Sequence, residues 1–126
     1  MKTLYTPRQF HLYAELYGVN QELLNDRKQI RKTLTDAIGK AKMQLVKFSD
    51  YHHKISDGKK SKHQGISAIA ILEESHAAIY TWPEHKYCSI DILTCGDPKG
   101  PQIIKEYIES KLKPSSINVT LESKGA

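Results

Sequence analysis

The residues best suited to chemistry in this chain of 126 residues form a dense polar cluster, Glu73, Glu74, Ser75 and His76, between two apolar segments. A serine hydroxyl directly follows a carboxylate there, and the thiol of Cys95 stands 20 residues further along. Hydroxyls and thiols act as nucleophiles and proton donors in enzymes. A hairpin turn with charged residues at its tip would also explain the cluster, since turns are polar for ordinary reasons. Because sites tend to be built from polar groups at strand ends, the segment is a candidate active site.

The hydrophobic pattern predicts the elements that must position this cluster. Alternating or continuous runs of apolar residues predict six strands, at 9–17, 43–49, 66–73, 76–81, 87–95 and 117–122. A stripe of apolar side chains predicts one helix of about 20 residues that follows Asn20, its expected N-cap. Asp97 and Pro98 predict the start of a second helix, which ends before Pro114. The polar cluster therefore lies between the third and fourth strands.

Six strands and two helices in this order favour a single α+β domain that spans residues 1–126. We expect a two-layer sandwich with a mostly antiparallel sheet and both helices on one face. The segments 66–73 and 87–95 carry apolar residues on both sides, so the other face of the sheet also needs cover. We expect a second copy of the chain to provide that cover in a homodimer, through the face of the sheet or through its edge.

Charge and composition limit the classes of function. The chain carries 19 Lys and Arg against 14 Asp and Glu, a net charge of +5, and the basic excess lies in residues 1–63. Residues 50–64 are basic and lack a hydrophobic period, which predicts an exposed loop. A basic loop can neutralise phosphates, but no binding motif or interleaved aromatic residue accompanies it, so we expect no nucleic-acid partner.

The cysteines and the apolar segments exclude further classes. Cys88 and Cys95 form no CxxC pair, so we expect free thiols and no metal site. No apolar run approaches the roughly 20 residues of a membrane helix, and residues 1–20 lack the apolar core of a signal peptide. We therefore expect a cytoplasmic protein without a membrane partner.

The segment from Gly65 to Gly96 resembles the core of the prokaryotic S-adenosylmethionine decarboxylases, which are pyruvoyl-dependent enzymes of polyamine synthesis. Their pattern runs GVSG, an apolar strand, ESH, three residues, HTWPE, and a strand that closes in D-x-x-TCG. The residues that match this pattern with intact spacing are Gly65, Ser67, Glu74, Ser75, His76, Thr81, Trp82, Pro83, Glu84, Asp91, Thr94, Cys95 and Gly96. More weakly, HLYAELYG at 11–18 is similar to the family's first strand, and the length is similar to that of its proenzyme.

The resemblance implies an enzyme that processes itself. The hydroxyl of Ser75 would attack the preceding carbonyl in an N-to-O acyl shift, and elimination would then cut the chain between Glu74 and Ser75. The products would be a β chain, residues 1–74, and an α chain, residues 75–126, that begins with a pyruvoyl group made from Ser75. That group would form a Schiff base with the amine of a small-molecule substrate and act as the electron sink for loss of CO2, without a metal.

The resemblance also implies roles for other residues. Cys95 matches the proton donor to the substrate carbon, and a thiol, with an ordinary pKa of about 8.5, can donate at neutral pH. Ser67 matches a residue that assists self-cleavage. Glu84 matches the carboxylate that holds the substrate ribose by accepting its hydroxyls, and Trp82 of the same motif is expected in the substrate-binding region.

Two departures from the family pattern leave alternatives open. Tyr80 stands where the family has a histidine that assists processing, and a phenol, with an ordinary pKa of about 10, is a poorer base than an imidazole. His76 and His85 are nearby in sequence as replacements for that imidazole. The positions just before Gly65 lack the aromatic residue that stacks on adenine in the family.

We therefore predict a decarboxylase of S-adenosylmethionine that serves polyamine and spermidine synthesis. One alternative is the same chemistry on arginine or ornithine. The other is an uncleaved, non-catalytic homologue that binds a ligand or a partner subunit.

Overall fold

The structure is a computed structural model that describes residues 7–53 and 64–125, and its strands form one six-stranded sheet. The strands are β1 (Gln9–Tyr17), β2 (Leu45–His53), β3 (Gly65–Leu72), β4 (Ser75–Trp82), β5 (Tyr87–Cys95) and β6 (Ser116–Lys124). The helices are α1 (Gln21–Leu24), α2 (Arg27–Lys40) and α3 (Lys99–Leu112). The strands follow the order β2-β3-β4-β5-β1-β6, and every neighbouring pair is antiparallel. The predicted two-layer α+β fold is confirmed.

The helices cover one face of the sheet because alternate residues of the central strands are apolar and fully buried beneath them. This core includes Ala77, Ile79, Ile90 and Ile92 from the strands and Ile30, Leu34, Ile104 and Ile108 from the helices. Burial of one large aliphatic side chain stabilises a fold by roughly 1.5–3 kcal/mol. Since β4 and β5 lie in the middle of the sheet, the hairpin tip before β4 and the end of β5 are anchored on this core.

The prediction of one long helix after Asn20 is wrong, because the chain forms two helices there. The Asn20 side chain does accept hydrogen bonds from the backbone of Glu22 and Leu23, at 2.8 and 3.2 Å, as an N-cap should. The Asp26 carboxylate then accepts the N–H of Gln29 at 3.2 Å and starts α2 as a second N-cap. A polar residue that can cap a helix therefore interrupts the apolar stripe after one turn.

The second predicted helix corresponds to α3 and begins close to its predicted position. The carboxylate of Asp97 accepts the N–H of Lys99, the first residue of α3, at 2.9 Å. This bond satisfies one of the free amides at the start of the helix. Within the described ranges, no helix is long and apolar enough to span a membrane.

Strand β2 begins later and ends later than the pattern predicts. Residues 50–53, expected in a loop, pair with β3, and Tyr51 lies opposite Ser67. A bulge between Leu45 and Lys47 shifts the alternation of side chains, and the Phe48 ring lies beneath the guanidinium of an α2 arginine at 4.7 Å. The rest of the predicted loop, residues 54–63, lies outside the described residues.

Candidate active site

The hairpin tip between β3 and β4 holds its central peptide in a strained conformation. Leu72 and Ser75 are directly opposite in the register, so only Glu73 and Glu74 connect the two strands. Glu74 has a φ of 58°, in the left-handed region that disfavours side chains other than glycine. Such a conformation costs on the order of 1–3 kcal/mol. The carbonyl carbon that Ser75 is expected to attack belongs to this strained residue.

The Ser75 hydroxyl is fixed by the neighbouring strand. Ser75 is half-buried at the first position of β4, directly opposite Thr94 of β5. Its Oγ donates a hydrogen bond to Oγ1 of Thr94 at 3.0 Å, and the Thr94 side chain is buried. The hydroxyl therefore has a defined position next to the hairpin tip instead of rotating freely in solvent.

A cavity of about 430 Å³ brings Glu74 and Cys95 together. Pro7, Arg8 and Gly96 also line it. Cys95 is a half-buried free thiol at the last position of β5, one residue after the threonine that binds the Ser75 hydroxyl. The predicted cleavage site and the predicted proton donor therefore share one end of the sheet.

The other cysteine is placed differently. Cys88 is fully buried on the helix side of β5, and burial raises the pKa of its thiol to about 12. A thiol that is shielded from solvent and this weakly acidic cannot serve a substrate as proton donor at neutral pH. Cys95, in contrast, lines a cavity.

Ser67 and Tyr80 form a second group on the face of the sheet that the helices leave uncovered. The two residues lie directly opposite one another on β3 and β4, and both are half-buried. The Ser67 Oγ and the Nε2 of His53 share a hydrogen bond of 3.1 Å. Sequence reasoning missed His53 because it placed residues 50–64 in a loop, although Tyr51 and His53 alternate as strand residues do.

The two groups are far apart within one chain. Ser75 and Tyr80 are five residues apart on the same strand, which corresponds to about 16 Å at the usual rise of roughly 3.3 Å per residue. Ser67 shares this distance because it pairs with Tyr80, whereas Leu72 pairs with Ser75. A single chain therefore does not bring Ser67 and Tyr80 within hydrogen-bond reach of its own Ser75 and Cys95.

Trp82 and Glu84 lie at the far end of β4, beyond Tyr80. The Trp82 ring stacks on Tyr87 with 5.3 Å between the ring centroids, and Tyr87 stacks on Tyr17 at the same distance. Glu84 is exposed on a short 3-10 helix, Pro83–His85, where it lines a cavity of about 290 Å³. These two predicted substrate-binding residues thus belong with the Ser67 and Tyr80 group.

Two motif residues without a predicted role hold the strands together. Thr81 is fully buried, and its Oγ1 donates to the carbonyl of Leu24 at 2.7 Å while it accepts the N–H of Ile66 at 2.8 Å. Gly65 has a φ of 137°, and a Cβ at that position would lie 2.1 Å from the Thr81 carbonyl oxygen. Both residues fix the strand ends that carry Ser67 and Tyr80.

The uncovered face also carries a polar network that sequence reasoning missed. The Tyr87 hydroxyl donates to Oε2 of Glu15 at 2.7 Å, and His11 and Asp91 approach to 2.5 Å. Burial, with hydrogen bonds to Tyr13 and Glu15, raises the pKa of Tyr87, so its phenol stays protonated at physiological pH. The alternation of polar and aromatic residues along 11–17 is the signal that could have revealed this network.

Among residues 7–53 and 64–125, no group of three or more His, Cys, Asp or Glu side chains is arranged to hold a metal ion. The geometry places the hydroxyl of Ser75, the strained peptide before it and the thiol of Cys95 at one end of the sheet.

Comparison with known proteins identifies relatives along nearly the whole chain. The family model described as S-adenosylmethionine decarboxylase matches residues 10–125. The arginine decarboxylase proenzyme of Pyrobaculum arsenaticum is 38% identical over 109 residues, which cover 86% of this chain and 78% of that protein. The S-adenosylmethionine decarboxylase proenzyme of Caldicellulosiruptor saccharolyticus is 36% identical over 115 residues, which cover 91% of this chain and 86% of that protein. The crystal structure of the adenosylmethionine decarboxylase from Aquifex aeolicus superposes with a TM-score of 0.83 at 28% identity, covering 98% of this chain and 94% of the other.

Proposed function

The chain belongs to the S-adenosylmethionine decarboxylase family, and from this premise we propose that it is a self-cleaving, pyruvoyl-dependent decarboxylase of S-adenosylmethionine that serves polyamine synthesis. The observation that carries the proposal is the cavity shared by Glu74 and Cys95, beside a Ser75 hydroxyl fixed by Thr94. Cleavage, cofactor formation and protonation of the substrate all need groups at this one end of the sheet.

Self-cleavage is supported by the geometry of the hairpin tip. The Ser75 oxygen forms a bond to the carbonyl carbon of Glu74, and the peptide C–N bond breaks to leave an ester. Elimination then releases the Glu74 carboxylate, and hydrolysis of the remaining enamine yields ammonia and a pyruvoyl group at residue 75. The left-handed φ of Glu74 favours this rearrangement, because breaking the strained peptide bond releases the strain.

The residues around position 75 fit a pyruvoyl group. The buried Thr94 hydroxyl lies within hydrogen-bond distance of the side chain there, and the cavity beside Glu74 leaves space for a substrate. The pyruvoyl group supplies an electrophilic carbonyl for the substrate amine and a sink for the electrons left by CO2. The Cys95 thiol lines the same cavity and holds the proton that the substrate carbon receives.

We also propose that a second copy of the chain completes each active site. Ser67 and Tyr80 lie about 16 Å from Ser75 within one chain, at the usual rise of roughly 3.3 Å per residue. A two-fold axis that lies between the uncovered faces of two copies, perpendicular to β4, would bring the Ser67 end of one copy over the Ser75 end of the other. Ile69 and Ile71 are 38% and 48% exposed on this face, which supports its burial against a partner.

Arginine is the second candidate substrate. The Pyrobaculum relative, 38% identical over 109 residues, is named an arginine decarboxylase proenzyme. In addition, the residues just before Gly65 lack the aromatic side chain that would stack on an adenine ring. Arginine shares the α-amine and the α-carboxylate on which the chemistry depends, so only contacts to the rest of the substrate distinguish the two.

Mass spectrometry of the purified full-length chain tests the proposal. We expect two fragments, residues 1–74 and 75–126, the second with a carbonyl in place of its first amine, whereas a Ser75→Ala variant stays a single chain. Release of CO2 from S-adenosylmethionine, arginine and ornithine in parallel then assigns the substrate. A wild-type chain that never cleaves would contradict the proposal in favour of the non-catalytic alternative. If CO2 is released preferentially from arginine, arginine and not S-adenosylmethionine is the substrate.

A further inference from the structure

Self-cleavage needs a base, and the side chain at position 80 is poorly suited to be one. During elimination a hydrogen leaves the α carbon of residue 75 as a proton, and a group with a pKa near neutrality accepts it best. A phenol, with an ordinary pKa of about 10, is protonated at neutral pH, whereas an imidazole, with about 6.5, is mostly unprotonated. With Tyr80 in place of a histidine, the base must come from elsewhere in the chain.

His53 places an imidazole directly beside the Ser67 and Tyr80 pair. Its Nε2 lies 3.1 Å from the Ser67 Oγ, and Ser67 is directly opposite Tyr80 in the sheet. The Tyr51 ring meets the His53 ring edge-on, with 4.7 Å between their centroids, and thus limits the orientations of the imidazole. Strands β2, β3 and β4 therefore set an imidazole, a hydroxyl and a phenol side by side on the uncovered face.

The other four described histidines are placed less favourably. His52 points to the helix side and lies 2.7 Å from a side-chain oxygen at the end of α1. His11 pairs with a carboxylate of β5, and His76 lines the cavity next to that pair, at the opposite end of β4 from Tyr80. His85 is exposed on the short 3-10 helix. Of the two histidines that the sequence suggested as replacements, neither His76 nor His85 contacts Ser67 in the structure.

We propose that His53 is the general base of self-cleavage and takes the place of the imidazole that Tyr80 lacks. This role rests on the proposed function and serves the Ser75 of the other copy in the dimer. His53 accepts the α hydrogen of residue 75 as a proton, and the electrons of that C–H bond form a Cα–Cβ double bond. The Cβ–O ester bond then breaks, and the Glu74 carboxylate leaves with the electron pair. Ser67 keeps the imidazole oriented through its hydrogen bond.

The rate of fragment formation, followed by mass spectrometry on freshly purified full-length chain, tests the role of His53. We expect His53→Gln to slow cleavage by about 100-fold or more, the usual contribution of a general base. Glutamine keeps a hydrogen-bonding group near Ser67, so loss of that bond does not explain the effect. The matched control is His52→Gln, the same change on the opposite face of β2, which should cleave within about twofold of the wild-type rate.

A rescue experiment separates base chemistry from structural damage. In the His53→Gln background, Tyr80→His puts an imidazole back beside Ser67 and should restore most of the rate. Wild-type cleavage kinetics in His53→Gln would overturn the role of His53, and so would slow cleavage that Tyr80→His fails to rescue. A wild-type chain that does not cleave would instead overturn the proposed function, so the two failures are distinguishable.

Discussion

Glu74 combines an unfavourable backbone conformation with the position directly before the proposed nucleophile. Within residues 7–53 and 64–125, three other non-glycine residues have positive φ, and all of them, Lys42, Lys86 and Lys113, follow helices. A left-handed residue is a common way to end a helix, so those three have an ordinary explanation. Glu74 lies in a two-residue connection between strands, where tight turns also place a residue at positive φ, but a glutamate adopts that conformation at a steric cost that glycine would avoid. The proposed cleavage of its peptide bond would release this strain.

Glycine at position 74 tests this explanation, because glycine adopts a positive φ without a steric penalty. We expect Glu74→Gly to slow self-cleavage several-fold and, in an uncleaved Ser75→Ala background, to raise the free energy of unfolding by about 1 kcal/mol. Intact-mass kinetics and urea denaturation measure the two effects. Glu74→Gln removes the charge and keeps the strain, so it should cleave faster than the glycine variant. Equal slowing in both variants would point to the carboxylate and not to strain.

The Ser75 end of the candidate site is predictable from the sequence, and the Ser67 end only in part. Glu74, Ser75 and Cys95 were expected together, and the structure places Glu74 and Cys95 at one cavity beside Ser75. His53 was missed because a β-strand that is polar on its outer face carries little hydrophobic signal.

At the scale of elements, the order of strands and helices followed from periodicity, but two boundaries did not. The apolar stripe after Asn20 continues across a break that Asp26 creates by capping a new helix. The bulge in β2 shifts the alternation after Leu45, so a strand with a strict period of two was the wrong template. Capping and bulges depend on single hydrogen bonds, which the hydrophobic pattern does not record.

An ion pair fixes the irregular strand β2 to α2. The Asp50 side chain, only 7% exposed, accepts a hydrogen bond from Nε of Arg27 at 2.8 Å, and Arg31 lies 3.7 Å away. The hydrogen bond from Arg27 lowers the pKa of Asp50 below its usual range, against a smaller opposing effect of burial. Since β2 also carries His53, this contact indirectly sets the position of the proposed base.

The lowered pKa of Asp50 predicts a stability difference that depends on pH. The pair stabilises the fold above the unfolded carboxyl pKa of about 3.9, and this contribution is lost as the pH falls through the lower, folded pKa. In a Ser75→Ala background, Asp50→Asn should therefore reduce the melting temperature by a few degrees at pH 7. This difference in melting temperature should disappear as acid protonates Asp50.

Thermal denaturation of the Ser75→Ala chain with and without Asp50→Asn, between pH 7 and pH 3 as far as they stay folded, measures this difference in melting temperature. The control is Asp36→Asn, which breaks a pair with Lys32 in which the carboxylate side chain is 37% exposed, and a pair this open to solvent contributes less. If Asp50→Asn lowers the melting temperature by the same amount at low pH as at pH 7, the contact between Asp50 and Arg27 does not stabilise the fold through charge.

At the scale of the whole molecule, part of the basic excess lies away from the face through which the proposed dimer would form. The basic excess of residues 1–63 falls in part on the exposed side of α2, at Arg27, Lys28, Arg31 and Lys32. That side points away from the sheet, so two copies packed face to face keep these charges in solvent. The proposed dimer then closes the gap of about 16 Å that separates the two groups along β4, at the usual rise of roughly 3.3 Å per residue.

Two impaired variants should restore activity to one another if each site takes residues from both copies. Cys95→Ala should leave self-cleavage intact but reduce decarboxylation by about 100-fold, and Glu84→Gln should weaken substrate binding. In a mixed dimer, one site would combine both defects while the other would have an intact Cys95 and an intact Glu84. With random assortment, co-expression should recover up to about a quarter of wild-type CO2 release.

The doubly substituted chain co-expressed with wild type provides the matched control for this complementation. When each site is shared, every mixed dimer combines an intact group at one end with a damaged group at the other, so only wild-type dimers release CO2. When each site lies within one chain, the wild-type copy stays active in every mixed dimer, and the total CO2 release is about twice as high. Complementation by the single variants together with the lower total in this control would establish the shared site. Absence of complementation, together with the higher CO2 release in this control, would show that each site takes Cys95 and Glu84 from the same chain and would contradict the proposed shared site.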